Sequence, residues 1–303
     1  MCPLPDTAAT ASRSAVRPEL LRALGAVVTS PPPYCQPVID SLRLPAPTAA
    51  EHTQVFVLTA PPHAAIYLGQ EGALGGEGLD RVAGFWRAIG LQPPQDADHL
   101  GLLLMLYAEL SEAETGARSA TTRDRVRHAR QVFLFEHLWS WAPGYLTAIT
   151  RLGTPSLAAW GRLTLAALGR EAHRAAGPLT LPLALRTAPA LPGRPQTRAQ
   201  LLGALIAPAR SGVLLTHQDL RNAAATAGLG YRVGERSFTL SAMLDQDAGA
   251  TLSWLAHHAR RWAARHAAQQ PIGGRDPRHW WARRAARTAR ILKVLEASPV
   301  TSD

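Results

Sequence analysis

Residues 91–110 read LQPPQDADHLGLLLMLYAEL: a proline-stiffened loop, an Asp98-His99 pair, then a strongly apolar run. Pro93 and Pro94 bar helix ahead of the pair, and Asp98 can accept a backbone N–H as an N-cap, so a helix is expected to start there. Leu100, Leu103, Leu104, Tyr107 and Leu110 recur at helical spacing, while Leu102, Met105 and Leu106 make the opposite face apolar too. The pattern predicts a helix buried nearly all round. Between Arg87 and Arg118 there is no arginine or lysine, yet Asp96, Asp98, Glu109, Glu112 and Glu114 all fall there. In a chain of formal net charge +10, such an acidic and partly apolar window points to a ligand that is cationic and greasy.

At 303 residues and 47% hydrophobic content, the chain has ample material for a packed core. Cys2 and Cys35 stand alone without CxxC spacing, so neither a disulfide framework nor a zinc site is expected, and a reducing compartment fits. The first residues carry prolines and charges where a signal peptide needs an apolar stretch, and no run approaches the ~20 apolar residues of a membrane span. The expectation is a soluble cytoplasmic protein. Charge is uneven along it: residues 1–200 hold 18 basic and 15 acidic side chains, residues 201–303 hold 14 and 7. A polyanion-binding surface, if there is one, belongs in the last third.

Outward from the central stretch, residues 1–14 read as a frayed tail. Helices are expected over 18–28 and around 38–42. Thr48 and Glu51 have the spacing of a capping box and open a helix that passes through Val55 and Leu58. Pro61 and Pro62 stop it. Residues 63–68 are a short apolar stretch, and GQEGALGGEG at 69–78 reads as a glycine-rich connector, since neither a preceding strand nor a following Lys-Ser or Lys-Thr makes it a phosphate cradle. Leu79, Val82, Ala83, Trp86 and Ile89 form a helix face closed by Gly90. A helix over 123–141 is basic in its first half and aromatic in its second, Pro143 begins the next, and Thr154-Pro155 begins another that runs to about 175. Residues 177–196 are a proline-rich, apolar linker. Helices resume at 197–206, 216–228, 235–245, 250–269 and 276–296. No stretch alternates with period two, so the class is all-α.

Three ordered motifs stand out: PPHAAIYLGQEGALGGEGLDRVAGFWRAIGL at 61–91, PPQDADHLGLLLMLYAEL at 93–110 and FLFEHLWSWAPGYL at 133–146. In that order, behind a helix with an aromatic at Phe56, they resemble the TorD/DmsD/NarJ family of redox-enzyme maturation chaperones over about residues 50–175. The resemblance implies a helical chaperone domain over 15–176, the linker at 177–196 and an added basic helical region over 197–303. It also implies no catalytic activity, no cofactor and no metal. The partners implied are the twin-arginine signal peptide and the apo catalytic subunit of a molybdopterin oxidoreductase, held until the cofactor is inserted. A homodimer stays an option. In the family an Asp-His pair ahead of the core helix marks the hinge and peptide-binding region, which maps to Asp98 and His99. Trp86 is the nearest match to the upstream aromatics that contribute in some members. The chain departs from some relatives in having Gln92-Pro93-Pro94-Gln95 where they carry an acidic and an aromatic residue.

A twin-arginine leader is a guanidinium pair followed by an apolar segment, so its receptor needs carboxylates beside a hydrophobic groove. Burial of two or three apolar side chains supplies ~1.5–3 kcal/mol each, whereas exposed Arg–carboxylate pairs give ~0–1. The groove should set affinity and the acids register. Asp98, His99, Trp86, Glu109 and Glu112 are the expected peptide-binding and hinge residues. Glu136-His137 lacks a second histidine at the spacing of a zinc-binding helix and reads as a structural pair beside Trp139 and Trp141. The competing function is nucleic-acid binding: 216–228 followed by 235–245 has the outline of a helix-turn-helix, and Arg275, Arg278, Arg283, Arg284, Arg287 and Arg290 crowd the last helix.

Overall fold

Sixteen α-helices and two π-helical turns make up the regular structure of the described residues, which are 15–152, 154–268 and 272–297 of the computed structural model. The all-α expectation is met, with one isolated antiparallel bridge, His63 to His99, among those residues. The expected tail at 1–14 lies outside the described residues. In chain order come α1 (Pro18–Thr29), α2 (Gln36–Ser41), α3 (Ala49–Thr53) and α4 (Ala64–Leu68). Next are α5 (Gly76–Ala88), α6 (Leu100–Thr115), α7 (Ala120–Phe133), α8 (Ala142–Ile149) and α9 (Pro155–Arg174). The rest is α10 (Leu183–Thr187), α11 (Arg198–Ile206), α12 (Pro208–Ser211), α13 (His217–Ala227), α14 (Arg236–Gln246), α15 (Ala248–Ala267) and α16 (Pro277–Ala297).

The two capping signals work locally as their sequences require. Thr48 and Glu51 close a reciprocal box at α3, and Thr216 and Asp219 do the same at α13, which Gly228 ends in the left-handed region. Two π-turns interrupt expected α-helix. Gln54–Thr59 continues α3, with Ala60 N–H donating to Val55 O five residues back at 2.8 Å, and Leu134–Leu138 continues α7. An extra residue in a turn rotates the side chains beyond it about the helix axis. Val55 and Phe56 are therefore buried, whereas Val57 and Leu58, expected to continue the same helix, are each 60% exposed.

α6 is the centre of the molecule, as its doubly apolar pattern requires. Leu100, Leu103, Leu104, Leu106 and Tyr107 are buried, and α1 and α7 pack along its flanks. α1 comes so close that a Cβ on Gly25 would sit 2.8 Å from Gly101 O, and one on Gly101 would sit 2.4 Å from Thr29 Cγ2. Two glycines thus set this helix crossing.

Part of the C-terminal region enters the same core. Val213, Leu214, Trp262 and Trp281 pack with α1–α9, and Trp281 Nε1 donates to Ser140 O at 2.8 Å. A second cluster, including Leu201, Leu220, Leu240, Leu255 and Leu292, is built from residues 191–295. No helix among the described residues is long and apolar enough to cross a membrane.

Burial lowers the pKa of His99, His137 and His266 to about 4 each. Their neutral forms are the folded ones, so the stability they contribute is complete above the unfolded value of 6.5 and is lost as pH falls from there towards 4. Urea midpoints measured across that interval should drop, by roughly 1.4 kcal/mol per pH unit for each histidine that takes up a proton on unfolding. Constant midpoints between pH 7 and about 5 would contradict the burial of these rings.

Candidate functional site

The Asp98-His99 pair sits where two loops are laced together. Ala64 N–H donates to Asp98 O at 3.1 Å and Leu100 N–H to Pro62 O at 2.7 Å, which joins the chain entering α4 to the chain entering α6. Contrary to the sequence expectation, Asp98 is not the cap of α6. It is 2% exposed, its Oδ2 accepts from Ala65 N–H at 2.8 Å, and its Oδ1 lies 3.3 Å from His63 Nδ1. Asp98 therefore caps α4, a helix remote in sequence. α6 is capped instead by His99, which has extended backbone and accepts from Gly101 N–H on Nδ1 at 3.1 Å. A buried carboxylate needs more donors than one helix start supplies, and the antiparallel neighbour provides them. Asp98→Ala should lower unfolding free energy by about 1–3 kcal/mol, because it strips the acceptor from a buried N–H. Urea denaturation measures this, and an unchanged midpoint would mean that the carboxylate carries no such load.

The acids of the central window do not share one site. Glu112 pairs with Arg22 of α1, and Glu114 with Arg127 and Arg130 of α7. Hydrogen bonding to Arg22 holds the Glu112 carboxyl below its usual pKa. Glu109 and Glu112 lie roughly 15–20 Å along α6 from its Asp98 end. Glu109 is exposed, with no ion-pair partner among the described residues. Trp86 is half-buried against the main core, its Nε1 enclosed and without an acceptor among those residues. None of Asp98, His99, Trp86, Glu109 and Glu112 lines the three clefts that run from the glycine-rich loop to α13.

Those clefts adjoin and form a groove where residues 54–78 meet the C-terminal region. The middle one, about 190 Å³, is walled by Leu58, Pro61, Ile66, Tyr67 and Leu74 on one side, and by Leu214, Leu215, His217 and Arg236 on the other. It exceeds the ~150 Å³ of an apolar cavity that accepts benzene. Through Leu58, Thr59 and His217 it opens into a second cleft of about 210 Å³, with Arg221, Tyr231 and Val233. Through Ala73 and Leu74 it opens into a third, about 310 Å³, within the glycine-rich loop beside Glu71 and Glu77.

Each wall has a definite support. Tyr67 stacks on Trp141 with ring centroids 5.1 Å apart, and its hydroxyl donates to Pro61 O at 3.0 Å. Gly72 holds the glycine-rich loop against the C-terminal region: its φ is +66°, a Cβ there would meet Ile206 O at 2.8 Å, and its carbonyl accepts from Arg236 Nη2 at 3.3 Å. The loop expected to be only a connector is thus a groove wall. Arg236 Nη1 also donates to Leu215 O at 3.0 Å, and burial lowers the pKa of this guanidinium.

Residues 43–146 match the family model described as nitrate reductase delta subunit. That segment is similar to the nitrate reductase delta subunit family. Its members are maturation chaperones that associate with the catalytic subunits of molybdoenzymes, in agreement with the resemblance read from the three motifs. No curated protein matches the chain. The delta-subunit segment supplies the wall made by Leu58, Tyr67 and Leu74, and residues beyond it supply the facing wall of Leu215, His217 and Arg236.

The other sequence candidates are accounted for by packing. Glu136 Oε2 accepts from Leu183 N–H at 2.7 Å, and His137 is buried against Phe85 and Phe133. Among the last-helix arginines, Arg278 is buried against Asp276, and Arg284 lies over Trp280 with a bond to Ala188 O. Arg283, Arg287 and Arg290 are exposed. α14, the supposed recognition helix, buries Thr239, Leu240, Met243 and Leu244. The groove itself was not foreseen; the signal that could have found it is the pairing of Val57 and Leu58 with a glycine-rich loop that carries Leu74.

Proposed function

We propose that this protein is a cytoplasmic maturation chaperone that holds the apo catalytic subunit of a molybdenum-cofactor oxidoreductase by a twin-arginine leader, whose apolar segment lies in the groove. One observation carries the reading. The delta-subunit segment leaves Leu58 60% exposed and Leu74 63% exposed along one wall of an apolar cleft, instead of folding them into its core. Two large aliphatic side chains kept in contact with water need an apolar partner, and covering them supplies ~1.5–3 kcal/mol each.

The guanidinium pair would then meet the glycine-rich end, where Glu71 is exposed and without an ion-pair partner among the described residues, and where Glu77, also exposed, is paired with Arg81 of α5. Asp98 and His99 act in this reading as positioning residues at a hinge. They tie the start of α4, which carries Ile66 and Tyr67 of the groove floor, to the core helix α6. Titration calorimetry with a synthetic twin-arginine leader tests the proposal. Binding should persist, a few-fold weakened, when both arginines become glutamine, and should disappear when the apolar segment is replaced by serine and asparagine. Equal binding of the intact and the polar-substituted leader would refute it.

A further inference from the structure

The groove is not electrically uniform. Among the described residues no carboxylate lines its middle or second cleft, yet Arg221, Arg236 and His217 do. Arg221 is exposed, lies 5.3 Å from the centre of the Tyr231 ring and has no carboxylate partner among the described residues. Arg236 donates only to two backbone carbonyls, which leaves part of its five-donor fork unused beside apolar walls. The nearby acid Asp219 is already taken by the cap of α13 and by Arg151. At the opposite end the glycine-rich loop carries Glu71 and Glu77. The glycine-rich end thus favours cations and the Arg221 end of the second cleft favours anions, while Arg236, bonded to Gly72 O, stands in the middle cleft between them.

We propose that the groove reads polarity along its peptide: the leader runs from the glycine-rich loop to the Arg221 end of the second cleft and presents there an aspartate or glutamate that follows its apolar stretch. This rests on the groove being the leader site. The cationic end is built by residues beyond the delta-subunit segment, so the C-terminal region acts as the specificity determinant for the client. A guanidinium fork matches a carboxylate in geometry as well as charge, and an exposed one such as Arg221 is screened by salt. A peptide in the reverse direction would bring its arginines against Arg221, and like charges at that end discriminate against it.

The test uses the full chain and C-terminally amidated synthetic peptides, each an arginine pair, a leucine-rich stretch and one terminal residue that is glutamate, glutamine or lysine. Fluorescence anisotropy should rank them glutamate, glutamine, lysine, with about fivefold between the first two at low salt and less at high salt. Arg221→Gln should abolish the preference for glutamate over glutamine. Arg236→Gln, which also removes a brace on Gly72 and Leu215, should weaken all three. Equal affinity of the wild type for the glutamate and glutamine peptides, or a preference that survives Arg221→Gln, would overturn the assignment while leaving the leader site in place. Failure of every peptide to bind would remove the leader site itself, and this inference with it.

Discussion

Leu58→Asp should weaken leader binding by about tenfold or more without altering the fold. Leu58 lines both the middle and the second cleft and is 60% exposed, so the free protein loses little packing when it is changed. Exposed substitutions of this kind stay within about 0.5 kcal/mol of wild type in stability. In the complex, by contrast, the aspartate removes the apolar cover expected over the trough and places a charge against it. The loss of ~1.5–3 kcal/mol from one buried aliphatic side chain corresponds to a factor of ten or more in affinity. Leu74→Asp, on the same wall, should act in the same way, and the two should be less than additive, since either one already wets the same trough. Calorimetry of the leader against each variant, with thermal unfolding as the control, measures both effects. Wild-type affinity in Leu58→Asp would place the leader elsewhere on the molecule.

Glu171→Ala should lower the unfolding free energy by about 3–5 kcal/mol, the largest effect expected of any single polar substitution here. Glu171, on α9, is 1% exposed and is the node of a network that reaches four parts of the chain. Its carboxylate accepts from Val16 N–H at 2.7 Å, Tyr107 hydroxyl at 2.7 Å, Arg130 Nη1 at 3.1 Å and Arg174 Nη2 at 2.7 Å. Arg130 in turn donates to the Tyr107 hydroxyl and, through Nε at 2.7 Å, to Glu114. Burial works against the charge on Glu171, but the bonds from Arg174, Val16 N–H and Tyr107 outweigh it and hold its pKa below the usual carboxylate range. Its contribution is therefore present above the ordinary carboxylate pKa and is lost as pH falls through the lowered folded value. Removal of the carboxylate leaves Arg130, 2% exposed, with Glu114 as its remaining ion-pair partner. Replacement of Arg130 and Glu171 together by methionine and glutamine should recover part of the loss, because no charge is then stranded. Urea unfolding of the single and double variants decides this, and a Glu171→Ala cost below about 1 kcal/mol would show that the network is not closed in solution.

Much of the architecture was legible in residue order. The doubly apolar run at 100–110 could only be a central helix, and α6 is one. The spacing of Thr48 with Glu51 and of Thr216 with Asp219 fixed two helix starts, and the tryptophans at 139, 141, 160, 262 and 281 are core. These features depend on hydrogen bonds within four residues and on burial periodicity, both of which are local properties. The three ordered motifs also lie inside the segment that matches the delta-subunit family model.

The placement of charge was decided by the fold. A stretch without arginine in sequence is not without arginine in space: α1 and α7, which flank α6, bring Arg22, Arg127 and Arg130 to the very acids that stood unpaired along the chain. Asp98 looked like a local cap, yet its donors come from 33 residues upstream. The groove depends on a π-turn that rotates Leu58 outward and on a C-terminal wall more than a hundred residues away, so no window of sequence contains it. Local propensity specified which helices form; only their packing determined which carboxylates are satisfied, which aliphatic side chains remain wet, and where a client peptide finds room.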